Sequence, residues 1–99
     1  MTYGEALEAV KQGKRAQRAG WNGKRMFIFM RPGDSINAED VQRIKTLPRS
    51  VIDWIAAQES FPVVVFTPYL CMKAADDSIV NGWFASQTDM LADDWSVLD

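Results

Sequence analysis

An α+β fold, with an N-terminal helix packed on a small antiparallel β-sheet and a short helical insertion between strands, is predicted by three observations. Tyr3, Ala6, Leu7 and Val10 recur at helical spacing behind a Thr2-x-x-Glu5 capping signature. Short apolar runs rich in β-branched and aromatic residues recur along the chain, separated by turn residues. Between them, the stretch from Gly33 to Pro62 reads as a two-helix excursion without a chemical motif. The 99 residues are read as one domain, 1–99, with the insertion over about 34–62.

Taken in order, the first helix should run from about Tyr3 to Gln12, with Gly13 as its stop and Lys11 and Lys14 near its carbonyl end. Asn22-Gly23 predicts a two-residue hairpin turn, because both central positions want positive φ. That turn would pair Trp21 with Lys24, Arg18 with Phe27 and Ala16 with Phe29. The strand Met26 to Met30 is apolar on both faces, which calls for a cover on each: the helix on one and a neighbouring subunit on the other. Asn37-x-x-Asp40 starts a short helix through about Lys45, and Pro48 suits the first turn of a second, carrying Val51, Ile52, Trp54 and Ile55. Val63 to Phe66, bounded by Pro62 and Pro68, predicts a short edge strand. Tyr69 to Lys73 and Ile79 to Phe84 form a hairpin across Asp76-Asp77-Ser78. Ser86-x-x-Asp89 and Thr88 offer caps for a single helical turn through Ala92, and Trp95 to Leu98 closes as a strand.

The chain is 47% hydrophobic, with four Trp, five Phe and five Met, more apolar surface than so small a core absorbs. The excess predicts a homo-oligomer, with twofold symmetry. A net charge of −2 argues against binding a nucleic-acid polymer. The charge is uneven: residues 1–31 hold seven Lys/Arg against two acids, and the remainder four against eleven. Complementary surfaces that attract one another would explain this; so would a basic patch for a compact anion such as nucleotide phosphate. The single Cys71 excludes an intramolecular disulfide and reads as a small buried hydrophobe. The start lacks a signal-peptide pattern and no apolar run approaches the ~20 residues needed to cross a bilayer, so the expectation is a soluble intracellular protein without membrane contact.

The chain has no histidine, the commonest general acid–base at neutral pH. Asp76-Asp77 fall in a turn and Asp93-Asp94 are adjacent, poor geometry for one metal ion. No catalytic residue, metal ligand or cofactor is expected. Trp21, at the shoulder of the hairpin, either packs across an oligomer interface or presents its face to a ligand. Asn22 serves the turn; Arg18, Lys24 and Arg25 lie within reach to neutralise phosphate, and Phe27 joins them opposite Arg18. Trp83 follows Gly82 and reads either as core or as a second platform. Ser86, Gln87, Thr88 and Asp89 either cap a helix or offer hydroxyl, amide and carboxylate groups to a base edge or ribose.

At these residues the chain resembles the small phage and prophage family of type-two Thoeris anti-defence proteins. The likeness rests on Thr2-Tyr3-Gly4-Glu5-Ala6-Leu7, on Gly20-Trp21-Asn22-Gly23-Lys24 with Met26-Phe27-Ile28, on Cys71-Met72-Lys73, and on the run from Trp83 through Trp95. It covers roughly residues 1–31 and 68–97, and residues 33–66 are variable in such proteins. The resemblance implies a non-enzymatic sponge, a homo-oligomer and commonly a tetramer. It would act in the cytoplasm of the infected bacterial host, sequestering the cyclic ADP-ribose isomer made by TIR-domain proteins and, in some members, cyclic dinucleotides at a separate site. Carried over, Trp21 and Asn22 contact ligand, and Trp83 with Ser86 to Asp89 supply the other wall. Two other readings stay open: a carboxylate-dependent nucleotide hydrolase, with Asp89, Asp93 or Asp94 holding a divalent metal, and a structural or protein-binding phage component anchored by Trp21 and Trp83.

Overall fold

Thr2 opens helix α1 (Tyr3–Lys11): its hydroxyl accepts from the Glu5 N–H, and the Glu5 carboxylate accepts from the Thr2 N–H. Gly13, at φ 93°, ends it in the left-handed region, as the sequence requires. The computed structural model describes residues 1–21, 23–60 and 62–98. They form two compact units, residues Met1–Pro32 with Tyr69–Asp99, and residues Gly33–Pro68.

In the first unit, strands β1 (Arg15–Arg18) and β2 (Phe27–Arg31) enter a five-stranded sheet completed by segments from the other end of the chain. After them in sequence come β5 (Tyr69–Lys73), β6 (Ile79–Asn81), helix α4 (Gln87–Leu91) and β7 (Trp95–Leu98). The second unit supplies β3 (Asp34–Asn37), α2 (Ala38–Val41), α3 (Arg49–Ala56) and β4 (Val63–Phe66). The large sheet has the order β6-β5-β2-β1-β7, and every pairing in it is antiparallel. Ala6 and Val10 of α1 pack on Ala16, Ile28, Met72 and Trp95, which makes one face of the sheet the core.

The hairpin register differs from the one expected. Ala16 lies opposite Ile28, not Phe29, and the pairs Trp21–Lys24 and Arg18–Phe27 do not form. The cause lies at the end of β1, where residues Ala19–Trp21 turn into a 3-10 helix. The Ala19 N–H donates to the Asp94 carbonyl (3.2 Å) and the Gly20 N–H to Asp94 Oδ2 (2.7 Å), so the chain is drawn toward the residues before β7. The shifted register puts Ala16 and Ile28 on one face, both fully buried beneath α1. Gly23 does adopt positive φ (61°), whereas Asn22 lies outside the described residues. At the other edge, β6 ends at Asn81 rather than running to Phe84, because Gly82 turns the chain at φ 74°.

The second unit is less helical than expected. Asp34–Asn37, with Ile36 as its one apolar residue, is a strand paired with β4, Ile36 facing Val64. β4 thus sits at an edge, as both strands of a two-stranded sheet must. α2 stops at Val41, short of Lys45, and Asn37 makes no side-chain cap bond. Pro48 takes the N-cap position of α3, just ahead of the first turn it was expected to occupy. Ile52 and Ile55 close on Val41, while Val51 and Trp54 face out.

Candidate functional site

The two tryptophans singled out by the sequence come together. Trp21 leaves the 3-10 turn and Trp83 follows Gly82, its N–H held by the Leu70 carbonyl at 2.8 Å. Their rings meet edge to face, centroids 6.3 Å apart. Trp21 also meets Trp95 edge to face at 5.2 Å, and Trp95 leans on Tyr3 at 5.3 Å. Trp95 is core; Trp21 and Trp83 are half-buried against it, so each keeps part of its surface toward solvent. Edge-to-face packing of this kind fixes ring orientation as well as burying area.

Beneath the rings lies a compact ionic cluster. Arg18 Nη1 donates to Asp89 Oδ1 at 2.6 Å and Arg18 Nε to Asp94 Oδ1 at 2.8 Å. Asp89 Oδ1 also accepts from Trp21 Nε1 (3.3 Å), and Asp89 Oδ2 from the Ser86 N–H (3.1 Å). The Ser86 hydroxyl returns a bond to the Asp89 N–H, completing the expected capping box of α4. The Asp89 carbonyl accepts from Trp95 Nε1 at 2.9 Å. Burial opposes ionisation of Asp89, but the hydrogen bonds from Arg18, Ser86 and Trp21 outweigh it and hold its pKa below the usual carboxylate range. Arg18 and the Gly20 N–H do the same for Asp94.

The cluster changes what several candidate residues can do. Arg18, expected to neutralise a ligand phosphate, is already shared by two carboxylates. Asp89, expected to read a base edge or ribose, has its oxygens engaged and orients the Trp21 indole instead. Ser86 is used as a cap, while Gln87 and Thr88 are exposed on the first turn of α4. Lys24 is exposed and makes no ion pair among the described residues. Asn22 lies outside the described residues. Phe27 stands apart: alternation along β2 puts it on the sheet face opposite Ile28 and α1, under Arg15. Sequence reasoning placed Asp94 only in the alternative metal-binding reading and Trp95 only in a closing strand, and did not count either among the ligand-site residues. Their signal was adjacency to the candidate run, since a strand starting at Trp95 turns one of the two toward the core.

For metal chemistry the geometry is unfavourable. Asp89 and Asp94 straddle a guanidinium that neutralises them, and among the described residues no group of three or more His, Cys, Asp or Glu could hold a metal ion. Cys71 is buried, as expected of a small hydrophobe.

The pairing of Trp21 with Trp83 brings together two motifs that are distant in the chain. A family model for the Thoeris anti-defense 2-like domain matches residues 1–98. The chain belongs to this family. It is similar to the protein named Thoeris anti-defense 2 from Bacillus phage SP01, with 38% identity over 98 residues, covering 99% of this chain and 94% of the phage protein. The Thoeris anti-defense 2-like match is continuous through residues 33–66, where the motifs read from the sequence were silent. No helix among the described residues is long and apolar enough to cross a membrane.

Proposed function

We propose that this anti-defence protein acts as a sponge: it binds the cyclic ADP-ribose isomer produced by TIR-domain proteins in the infected host cytoplasm and holds it unaltered. The observation that carries the reading is the pair of half-buried indoles, Trp21 and Trp83, locked edge to face with one edge of Trp21 pinned by Asp89. A ring held in advance costs little further ordering when a base stacks on it. Stacking contributes about 1–3 kcal/mol, and each charge-assisted bond to phosphate about 1.5–3 kcal/mol. A sponge must outcompete the receptor it starves, which asks for nanomolar binding, about −12 kcal/mol. Lys24, with the exposed side chains of Gln87 and Thr88, supplies the polar partners that Arg18 and Asp89 do not.

Assembly is the second part of the proposal. Phe84, just ahead of the Ser86 cap, is 90% exposed in the single chain, and Leu91, the last residue of α4, is 84% exposed. Apolar side chains so exposed fit burial against a second copy, and a homo-oligomer, as a tetramer, would place the Trp83 segment beside a neighbouring subunit. Cyclic dinucleotides are a further ligand class for the same assay.

The experiment mixes the protein with the nucleotide product of a TIR-domain protein, removes the protein by filtration, then heats it and analyses the released material by mass spectrometry. Depletion of the free nucleotide and recovery of intact ligand support the sponge. Recovery of a cleaved product makes the protein an enzyme, and absence of depletion leaves Trp21 and Trp83 as packing residues alone.

A further inference from the structure

Asp94 binds three consecutive residues of the segment that delivers Trp21. Its carbonyl accepts from the Ala19 N–H (3.2 Å), its Oδ2 from the Gly20 N–H (2.7 Å) and its Oδ1 from Arg18 Nε (2.8 Å). The pairing of β1 with β7 ends at Arg18 opposite Trp95, so the Asp94 side chain takes over where the ladder of backbone bonds stops. From Ala19 the chain leaves the sheet as the 3-10 turn that ends on Trp21.

Arg18 carries the constraint onward. The same guanidinium donates through Nη1 to Asp89 Oδ1 (2.6 Å), the oxygen that also accepts from Trp21 Nε1 (3.3 Å). The bonds therefore close a loop: Asp94 seats the backbone just ahead of Trp21, Asp89 holds its indole N–H, and Arg18 joins the two carboxylates. The side chains of Arg18 and Asp94 are 12% and 29% exposed, and charge-assisted bonds partly shielded from water are the strong ones. Gly20 leaves room for this closure, since a Cβ there would stand 3.0 Å from Asp94 Oδ2 and 2.9 Å from Arg18 Nη2. Both Asp94 oxygens are committed to these donors, so Asp94 acts on a ligand through Trp21 and not by contact.

We propose that Asp94 is a positioning residue for the nucleotide site: by seating the 3-10 turn it sets the orientation of Trp21 before ligand arrives. This rests on the reading of Trp21 as a ligand platform. Its consequence is that affinity depends on a residue outside the ligand's contact shell, because a ring left free to turn must be ordered on binding.

Two measurements on the intact protein test this: calorimetric titration with the purified cyclic ADP-ribose isomer, and the indole N–H resonance of Trp21 in the ligand-free state, assigned by its loss in Trp21→Phe. Asp94→Ala should shift or broaden that resonance and weaken binding about tenfold. Gly20→Ala keeps the carboxylate and presses on the clamp from the other side. Its backbone is not in the left-handed region and its nearest neighbour is the flexible end of Arg18, so it folds even where Asp94→Ala does not. It should move the same resonance and weaken binding several-fold. Asp93→Ala makes the same charge change at an exposed neighbour and should alter neither readout. The proposal is overturned if Asp94→Ala, or Gly20→Ala in its place, binds as tightly as the wild type. It is also overturned if binding weakens with the Trp21 resonance unmoved, or if Asp93→Ala weakens binding as much as Asp94→Ala, since charge and not position would then be the cause. A wild-type protein that takes up no ligand overturns the nucleotide-binding reading and this proposal with it, a result distinct from variants that bind as well as the wild type.

Discussion

At Asp89 one carboxylate accepts from Arg18, from the Trp21 indole and from the Ser86 backbone, so a single residue sets ring position, ionic pairing and helix start together. Asp89→Asn keeps an acceptor but withdraws the charge facing a largely buried Arg18. The expected cost is about 1–3 kcal/mol of stability, read as a lower denaturant midpoint with an unchanged slope. Trp21→Phe is the gentler probe: it retains a ring on Trp95 but loses the Nε1–H bond to Asp89, and nucleotide affinity should drop about tenfold while the unfolding midpoint moves little. The same cluster sets a pH dependence. Because the folded pKa values of Asp89 and Asp94 lie below the unfolded Asp value of about 3.9, the stability they add is fully present above about pH 5. It is lost as pH falls through the folded values, when both carboxylates take up protons. Tryptophan fluorescence followed down a pH series should hold steady to about pH 5 and change only below it.

Among the elements, those whose ends carry their own punctuation were readable in advance. α1 and α4 each begin with a reciprocal side-chain box, Thr2 with Glu5 and Ser86 with Asp89, and local bonds of this kind need no distant partner. Ser86→Ala should cost about 1 kcal/mol and, by loosening Asp89, also broaden the Trp21 environment, visible in near-ultraviolet circular dichroism. β3 was not readable, because Asp34-Ser35-Ile36-Asn37 has no alternation to detect and becomes a strand only through pairing with Val63–Phe66. The β1–β2 register failed for a related reason. Asn-Gly favours a tight turn, but the contacts of Ala19 and Gly20 with Asp94, more than seventy residues away, decide where β1 ends. Gly20 permits that approach: a Cβ there would stand 2.9 Å from Arg18 Nη2 and 3.0 Å from Asp94 Oδ2.

For the whole molecule, the apolar surplus seen in the composition reappears as exposed side chains, with Phe84 and Leu91 the most exposed of the large ones. If these are subunit contacts, Leu91→Asp should lower the mass measured by light scattering while leaving far-ultraviolet circular dichroism unchanged, since Leu91 contributes nothing to either buried cluster. An unaltered mass would assign the oligomer to another surface. Read alone, the sequence determined the α+β class, both capped helices and most of the strands, because caps, periodicity and turn residues act over a few positions. The tertiary structure decided that Arg18 serves Asp89 and Asp94 and that Phe27 faces away from Trp21. Both depend on which face of a strand meets which distant segment, and a one-residue change of register reverses that choice.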